Sequence, residues 1–283
     1  MRSAKSARDK KKDMKRNIVL LVLGAILLLL SCSEQHSVSR RFVKNNRKTV
    51  VALYMPEILA KRNLRNDSIP DELADSSLQK QIAYLEKQVK VIDKVNDDKF
   101  LDIIYLTMKE TLKDYGLKVE YWEDETSQPD STHWVIEIPR IEVTEVCENQ
   151  QFCGWVDYNK YCMDVPVDLV NVAAWFNIAN DTTYTMTFTE QNYFNDTDVS
   201  FDLDYQNNKI VAKTYCDTIN IDGFYRFATI LGKLYAGYCY DFMMNKYIDN
   251  HNVEPIDTIY RFRYDPYEKY FYRTKMDYLI EIK

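Results

Sequence analysis

Few side chains in this 283-residue sequence stand in patterns that do chemistry. It has no Gly-x-Ser-x-Gly elbow, no His-Glu-x-x-His helix, no Gly-x-Gly-x-x-Gly turn and no P-loop. The histidines are His36, His133 and His251. The first lies in a polar stretch, the second before a strand and the third after a helix, so none is placed as a catalytic base. Asp202 and Asp204 are spaced as a carboxylate pair, but they alternate with Phe201, Leu203 and Tyr205, which makes them the solvent face of a strand. Cys147 and Cys153 can close a small loop, and Cys239 lies in an apolar helical pattern as a small buried hydrophobe. With Cys162 and Cys216 these make five, an odd number that leaves at least one unpaired in an oxidising compartment. No Cys-x-x-Cys pair occurs and the nearest histidine is His133, so no metal site and no cofactor is expected. What remains is Cys32, at the end of Leu29-Leu30-Ser31-Cys32, and the hydroxyls of five triplets of the form Asp-(Ser/Thr)-(Ala/Ile/Leu/Val/Met/Thr), assigned as Ser68, Thr132, Thr182, Thr218 and Thr258.

Cys32 closes a three-part leader. Residues 1 to 16 hold eight basic side chains and two acids, and Ile18 to Leu30 carries no charge. Thirteen apolar residues rise about 20 Å as a helix, short of the ~30 Å hydrocarbon core. A basic stretch, a short apolar stretch and a small residue describe a secretory signal rather than a span. Met14 is an internal start candidate. Leu29-Leu30-Ser31-Cys32 resembles the lipobox of bacterial lipoproteins. That resemblance implies cleavage before Cys32, lipid on its sulfur, and an anchor made effectively permanent by buried methylenes contributing ~0.8 kcal/mol each. The segment Ser33-Glu34-Gln35-His36 lacks the aspartate that marks inner-membrane retention in some lipoproteins. It also lacks the acidic run that resembles a surface-export signal in others, so the resemblance implies the inner leaflet of the outer membrane, facing the periplasm.

Of 37 Lys+Arg and 43 Asp+Glu, eight bases and two acids lie in the leader, leaving 29 against 41 and a net charge of −12 on residues 33–283. A nucleic-acid partner is excluded on that balance. The one basic cluster, Arg40, Arg41, Lys44, Arg47 and Lys48, either touches anionic headgroups or belongs to a solvated tether. Tyrosine is abundant at 22, which suits strands and wet interfaces, and scarce glycine argues against phosphate-cradling loops.

Residues 32–48 are expected to be the lipidated cysteine and a polar tether, 49–252 one α+β domain, and 253–283 a Tyr/Arg-rich strand extension. Within the domain, Thr49 to Tyr54 is strand-like and Pro56 stops it. Leu78, Ile82, Leu85, Val89 and Ile92 form one helical stripe; Leu101, Ile104, Tyr105, Met108 and Leu112 form a second, capped by Asp97 or Asp98 and ended by Gly116. The period then changes to two over Leu117–Trp122 and Trp134–Val146, with Pro139 marking an edge or a bulge. Residues 147–166 read as irregular. Hairpins follow at 170–190 and 199–216, then a long helix capped by Asp222 with the stripe Phe224, Phe227, Leu231, Leu234, Tyr238 and Phe242. Separated helices with mostly hairpin-linked strands mean α+β: largely antiparallel sheet packed with three main helices.

The Asp-(Ser/Thr) triplets resemble the acceptor sequon of a periplasmic O-glycosylation system in one Gram-negative phylum; about one or two would occur by chance. The order of elements from Tyr115-Gly116-Leu117-Lys118-Val119 through Trp134-Val135-Ile136-Glu137-Ile138 to the long helix resembles auxiliary lipoproteins of envelope transport. These include small subunits of lipopolysaccharide assembly and of lipid-transport ABC systems. The first helix, the hairpins and the C-terminal addition depart from that pattern. The resemblances imply a non-catalytic, membrane-anchored lipoprotein that binds a protein or lipid-pathway partner. An envelope enzyme hydrolysing glycans with two carboxylates, or a structural or adhesive surface component, are the other readings. The partner-binding candidates are Tyr260, Phe262 and Tyr264 on one strand face and Arg261 and Arg263 on the other. Two accounts of them stay open: the aromatic face packs on the main sheet with the arginines solvated, or part of it is exposed and docks a partner.

Cells expressing the chain and fed a clickable palmitate are expected to label it through Cys32, and Cys32→Ala to abolish the label. Equal labelling of both would contradict the lipobox assignment.

Overall fold

The computed structural model describes residues 35–45, 48–64, 73, 75–87, 91–120, 133–194, 197–217, 219–251, 261–275 and 278–282. The chain is α+β and divides into two compact units: residues 48–240 with 278–283, and residues 1–47 with 241–277.

The larger unit is built on one mixed sheet. Its strands are β1 (Val50–Tyr54), β2 (Ala60–Asn63), β3 (Lys118–Glu120), β4 (His133–Val156), β5 (Asn159–Ala179), β6 (Tyr184–Phe194) and, from the end of the chain, β11 (Ile280–Glu281). Their order is β11-β6-β5-β4-β1-β3, with β2 pairing further along β4. β1 lies between two parallel neighbours, with Val51 opposite both Val119 and Trp134. Its Val-Val-Ala-Leu-Tyr run is therefore buried at Val51, Ala52 and Leu53. β4, β5, β6 and β11 are antiparallel.

Two helices cover one face of this sheet: α3 (Asp97–Asp114) and the first part of α4 (Ile221–His251). Asn96, not an aspartate, caps α3 by accepting the Lys99 N–H at 2.8 Å; Asp97 and Asp98 occupy the first turn, where the helix dipole favours acids. The helix ends in a Schellman motif: Gly116 has φ 88°, its N–H bonds Lys113 O at 2.8 Å, and Leu117 N–H bonds Leu112 O at 3.1 Å. Asn220 caps α4 through the Asp222 N–H, in place of the expected Asp222. The two helices meet through Phe100 stacked on Phe224 at 4.9 Å and through Gly232, where a Cβ would fall 2.7 Å from Thr107 Cβ and 2.9 Å from Ile104 O. From α4, Tyr235 reaches the sheet edge-on to Phe176 at 5.3 Å.

The expected helix over 78–92 is divided. α2 (Leu78–Lys87) leaves Leu78 and Ile82 exposed, and Ile92 belongs to a separate 3₁₀ turn, Ile92–Lys94. That turn is anchored by the fully buried Glu145, whose carboxylate accepts the Val91 and Ile92 N–H groups at 3.0 and 3.3 Å. β4 carries a register shift between Glu137 and Arg140, the bulge that Pro139 foreshadows. Across it the helix-facing set passes from Trp134, Ile136 and Ile138 to Ile141, Val143 and Glu145.

Residues 147–166 are not irregular. They continue β4 and begin β5, joined by a two-residue turn in which Asp157 and Tyr158 both have positive φ, and Cys153 is bonded to Cys162, directly opposite, rather than to Cys147. A second hairpin, β7 (Thr197–Asp204) and β8 (Lys209–Cys216), lies against β4. A Cβ on Gly154 would stand 2.6 Å from the Phe201 ring, so the two hairpins meet closely there. Asp202 pairs with Lys213 at 2.8 Å and the Asp204 carboxylate accepts N–H groups in its own turn, as solvent-face residues do.

In the smaller unit, residues 35–45 are helical where a polar tether is expected. Val38 and Phe42, four apart, form its buried stripe, and Phe42 meets Tyr247 at 5.3 Å. This helix, α1, is joined in the unit by the end of α4 and by the antiparallel pair β9 (Arg261–Asp265) and β10 (Tyr270–Thr274). The tail is thus shared: 261–275 belong to this unit, while 278–282 return to the large sheet.

Gly232→Ala tests the helix contact. Propensity alone would favour alanine by about 1 kcal/mol, but overpacking against the Ile104 backbone is expected to lower stability by about 1–3 kcal/mol. Urea denaturation reads the sign; a stabilised variant would contradict the close approach.

Candidate interaction surface

The sequence-predicted residues of the tail are placed by a polar cluster on α4. Asn245 Nδ2 donates to Phe262 O at 2.9 Å, and its Oδ1 accepts the Phe262 N–H at 2.9 Å, so the amide pairs with β9 as a neighbouring strand would. Asp241 accepts Arg263 Nη1 at 3.1 Å and the Tyr264 N–H at 3.1 Å. Phe262 and Arg263 are both buried, at 5% and 8% exposure. Arg273 stacks over the Phe262 ring at 4.7 Å, and Tyr264 meets Phe271 at 4.8 Å. Arg261 and Tyr264 are half-buried. Arg263 is therefore not a solvated arginine, and Phe262 offers no surface to a partner. The alternation that separates aromatics from arginines is real, but β9 is buried on both faces, at Phe262 and at Arg263, whose guanidinium bonds Asp241, while Tyr270 and Tyr272 of β10 are exposed. Tyr260 lies outside the described residues.

Cys32 and the whole leader also lie outside them, as do Ser68, Thr132, Thr218 and Thr258. Within the 130–132 triplet the hydroxyl next to the aspartate is Ser131, not Thr132; both are outside the described residues. Thr182 is exposed in the β5–β6 loop, where its N–H and hydroxyl bond Asn180 Oδ1 at 3.1 and 3.2 Å.

Away from the helices, the large sheet gathers residues along β6 and β11 that the sequence patterns do not single out. β6 sends Thr187 and Thr189 toward the helices, at 0% and 3% exposure, and turns Tyr184, Met186, Phe188 and Glu190 outward. β11 does the same: Leu279 is buried while Ile280 and Ile282 are 60% and 44% exposed. The register aligns these side chains in rows. Arg140, Trp175, Phe188 and Ile280 are successive neighbours across β4, β5, β6 and β11. The Arg140 guanidinium lies 5.2 Å from the Trp175 ring, and that ring 5.0 Å from Phe188. The next row runs from Glu137 through Asn177, which donates to its carboxylate at 2.7 Å, to Met186. Cations bound the patch on its β2 side: Glu142, 7% exposed, is held by Arg62 at 3.2 Å and by Arg140. Glu137 and Glu142 on this face thus engage an amide and arginines. A strand that buries threonines and exposes Tyr, Met and Phe reverses the usual sorting, and an exposed contiguous apolar patch marks an interaction surface. The signal in the sequence is the strict alternation Tyr184-Thr-Met186-Thr-Phe188-Thr; it shows two faces but not which one the helices take.

Among the described residues no group of three or more His, Cys, Asp or Glu side chains is placed to hold a metal ion, and no helix is long and apolar enough to cross a membrane. Cys239 is fully buried, and burial pushes its thiol far up. No family model matches the chain, and no curated protein matches it. Among solved structures it is similar to a minor lipoprotein from Acinetobacter baumannii at 10% identity and a TM-score of 0.27, over 70% of this chain and 95% of that one.

Burial pushes the Asp241 carboxyl up to about 7, against the pull of Arg263 and the Tyr264 N–H. A folded value raised above the ordinary one, 3.8, adds stability that is fully present below about pH 4 and lost as pH rises through about 7. The difference in unfolding free energy between the wild type and Asp241→Asn is therefore expected to be largest near pH 4 and to shrink up to pH 7–8. Urea titrations at each pH measure it; a difference that grows with pH would contradict the assignment.

Proposed function

We propose that the chain is a periplasm-facing lipoprotein, held on the membrane by lipid on Cys32, that binds a protein or lipid-pathway partner in the cell envelope through the open face of its large sheet. The lipobox and leader support the anchor. One observation carries the binding: β6 and β11 turn Tyr184, Met186, Phe188, Ile280 and Ile282 away from the helices while Thr187 and Thr189 are buried. Arg140 and Trp175 extend the patch to β4 and β5, and aromatic and arginine side chains are those most enriched where binding energy concentrates. The face needs no chemistry to act: it offers apolar area for burial, a guanidinium and an indole stacked on each other, and a polar border. The outer membrane's inner leaflet is the location that the residues after Cys32 support.

The double variant Met186→Asp/Ile280→Asp tests this. Both side chains are exposed, so the unfolding free energy is expected to stay within about 0.5 kcal/mol per site. Two charges on the apolar patch are expected to weaken retention of the envelope partner, measured after detergent extraction of the lipidated protein, by tenfold or more, about 1.4 kcal/mol. Undiminished retention by a stably folded variant would refute the assignment of the face.

A further inference from the structure

The β4–β5 hairpin outruns the sheet it belongs to. The last rung of β2 is Asn63↔Glu145 and the last rung of β6 is Leu169↔Phe194, whereas the hairpin continues from Cys147↔Asp168 to Val156↔Asn159. At ~3.4 Å per residue this arm projects about 30 Å. Two features brace it. The Cys153–Cys162 disulfide ties its strands near the turn, and β7–β8 backs one of its faces, with Phe201 over Gly154. β7 starts at the root, just after Phe194, and reaches the level of Gly154 by Phe201. Its own turn, residues 205–208, therefore falls at the same end as Asp157-Tyr158.

That end carries three exposed amphipathic rings from two hairpins: Trp155 near the end of β4 at 72%, and Tyr158 and Tyr205 in the turns at 99% and 85% exposure. Tyr158 holds a φ of 65°, a left-handed conformation that bulky side chains rarely adopt, and its ring is almost wholly exposed. A glycine or asparagine would serve the turn better, so the ring contributes something other than folding. The charges at the tip balance: Asp157 and Asp204 against Lys160 and Lys209. Asn159, Gln206, Asn207 and Asn208 fill the remaining positions.

We propose that the arm's tip rests in the headgroup layer of a phospholipid bilayer. Trp and Tyr are the side chains that the membrane interface selects, because the ring is apolar and its edge is wet. Two adjoining turns make a convex end, which a soft interface accepts without a matching recess. Zero net charge asks for no oppositely charged partner. The contact differs in kind from the lipid anchor and rests on the reading that the chain works at a membrane.

The test uses the full lipidated chain in vesicles of phosphatidylethanolamine and phosphatidylglycerol doped with brominated phosphatidylcholine. Trp155 is one of four tryptophans, so about a quarter of the emission is expected to be quenched by the brominated lipid, and that component to vanish in Trp155→Phe. Tyr158→Gly is expected to keep or raise the melting temperature while reducing the quenching. Flotation with the vesicles but no quenching, or equal quenching in Trp155→Phe, overturns the tip contact and leaves the anchor standing. Absence of flotation overturns the anchor and the proposal with it. Tip variants that lose a protein partner while Trp155 stays unquenched would assign the tip to protein recognition and refute the bilayer contact.

Discussion

The larger unit depends on one close approach, that of α4 to α3 at Gly232. With hydrogen as its side chain, the two helices cross over Ile104 and Thr107 and lie together on one side of the sheet. The core between helices and sheet follows from this layer: Phe100 on Phe224, Tyr235 on Phe176, and the inward sets of β4, β5 and β6. The two helices lie on one face, and among the described residues the opposite face is exposed along β6 and β11. A one-sided sheet ordinarily sorts apolar side chains inward. Here the outer face keeps Trp175, Phe188, Met186 and Ile280, and that surplus, rather than any reactive constellation, is the feature that speaks of function.

What was legible in the sequence follows from periodicity and local chemistry. The α3 stripe, the Gly116 stop, the long closing helix and the two later hairpins rest on contacts within a few residues, and all are present. The 147–166 stretch was not legible because its order comes from afar. One of its faces carries Phe152, Tyr161 and Met163 diluted by Gln150 and Gly154, and the strands are held by a cross-strand disulfide and by a hairpin some fifty residues on in the chain (Gly154 to Phe201). The 78–92 helix failed at its end for a similar reason: Glu145, remote in sequence, takes the backbone N–H groups at Val91 and Ile92.

Charges misled most in the tail. A lone arginine in an alternating strand is best assigned to solvent, since ionised side chains are seldom fully buried without a partner. The partner of Arg263 is Asp241, twenty-two residues earlier on α4, and no local pattern joins them. The pair, with Asn245 gripping the Phe262 backbone, makes β9, for which packing and docking were both open, an interior strand of the smaller unit. The candidate surface moved instead to β6 and β11, where alternation was visible but its polarity was not.

The central claim, that the open sheet face is covered by a partner in the envelope, is tested most directly by hydroxyl-radical footprinting of the lipidated protein in native membranes and after purification. Leu106 and Ile230, exposed on the helices at 56% and 53%, serve as internal references. The account predicts that Tyr184, Met186 and Phe188 are modified in the purified chain and protected in membranes, while the references are modified alike in both. Equal modification of Met186 in the two preparations would contradict it.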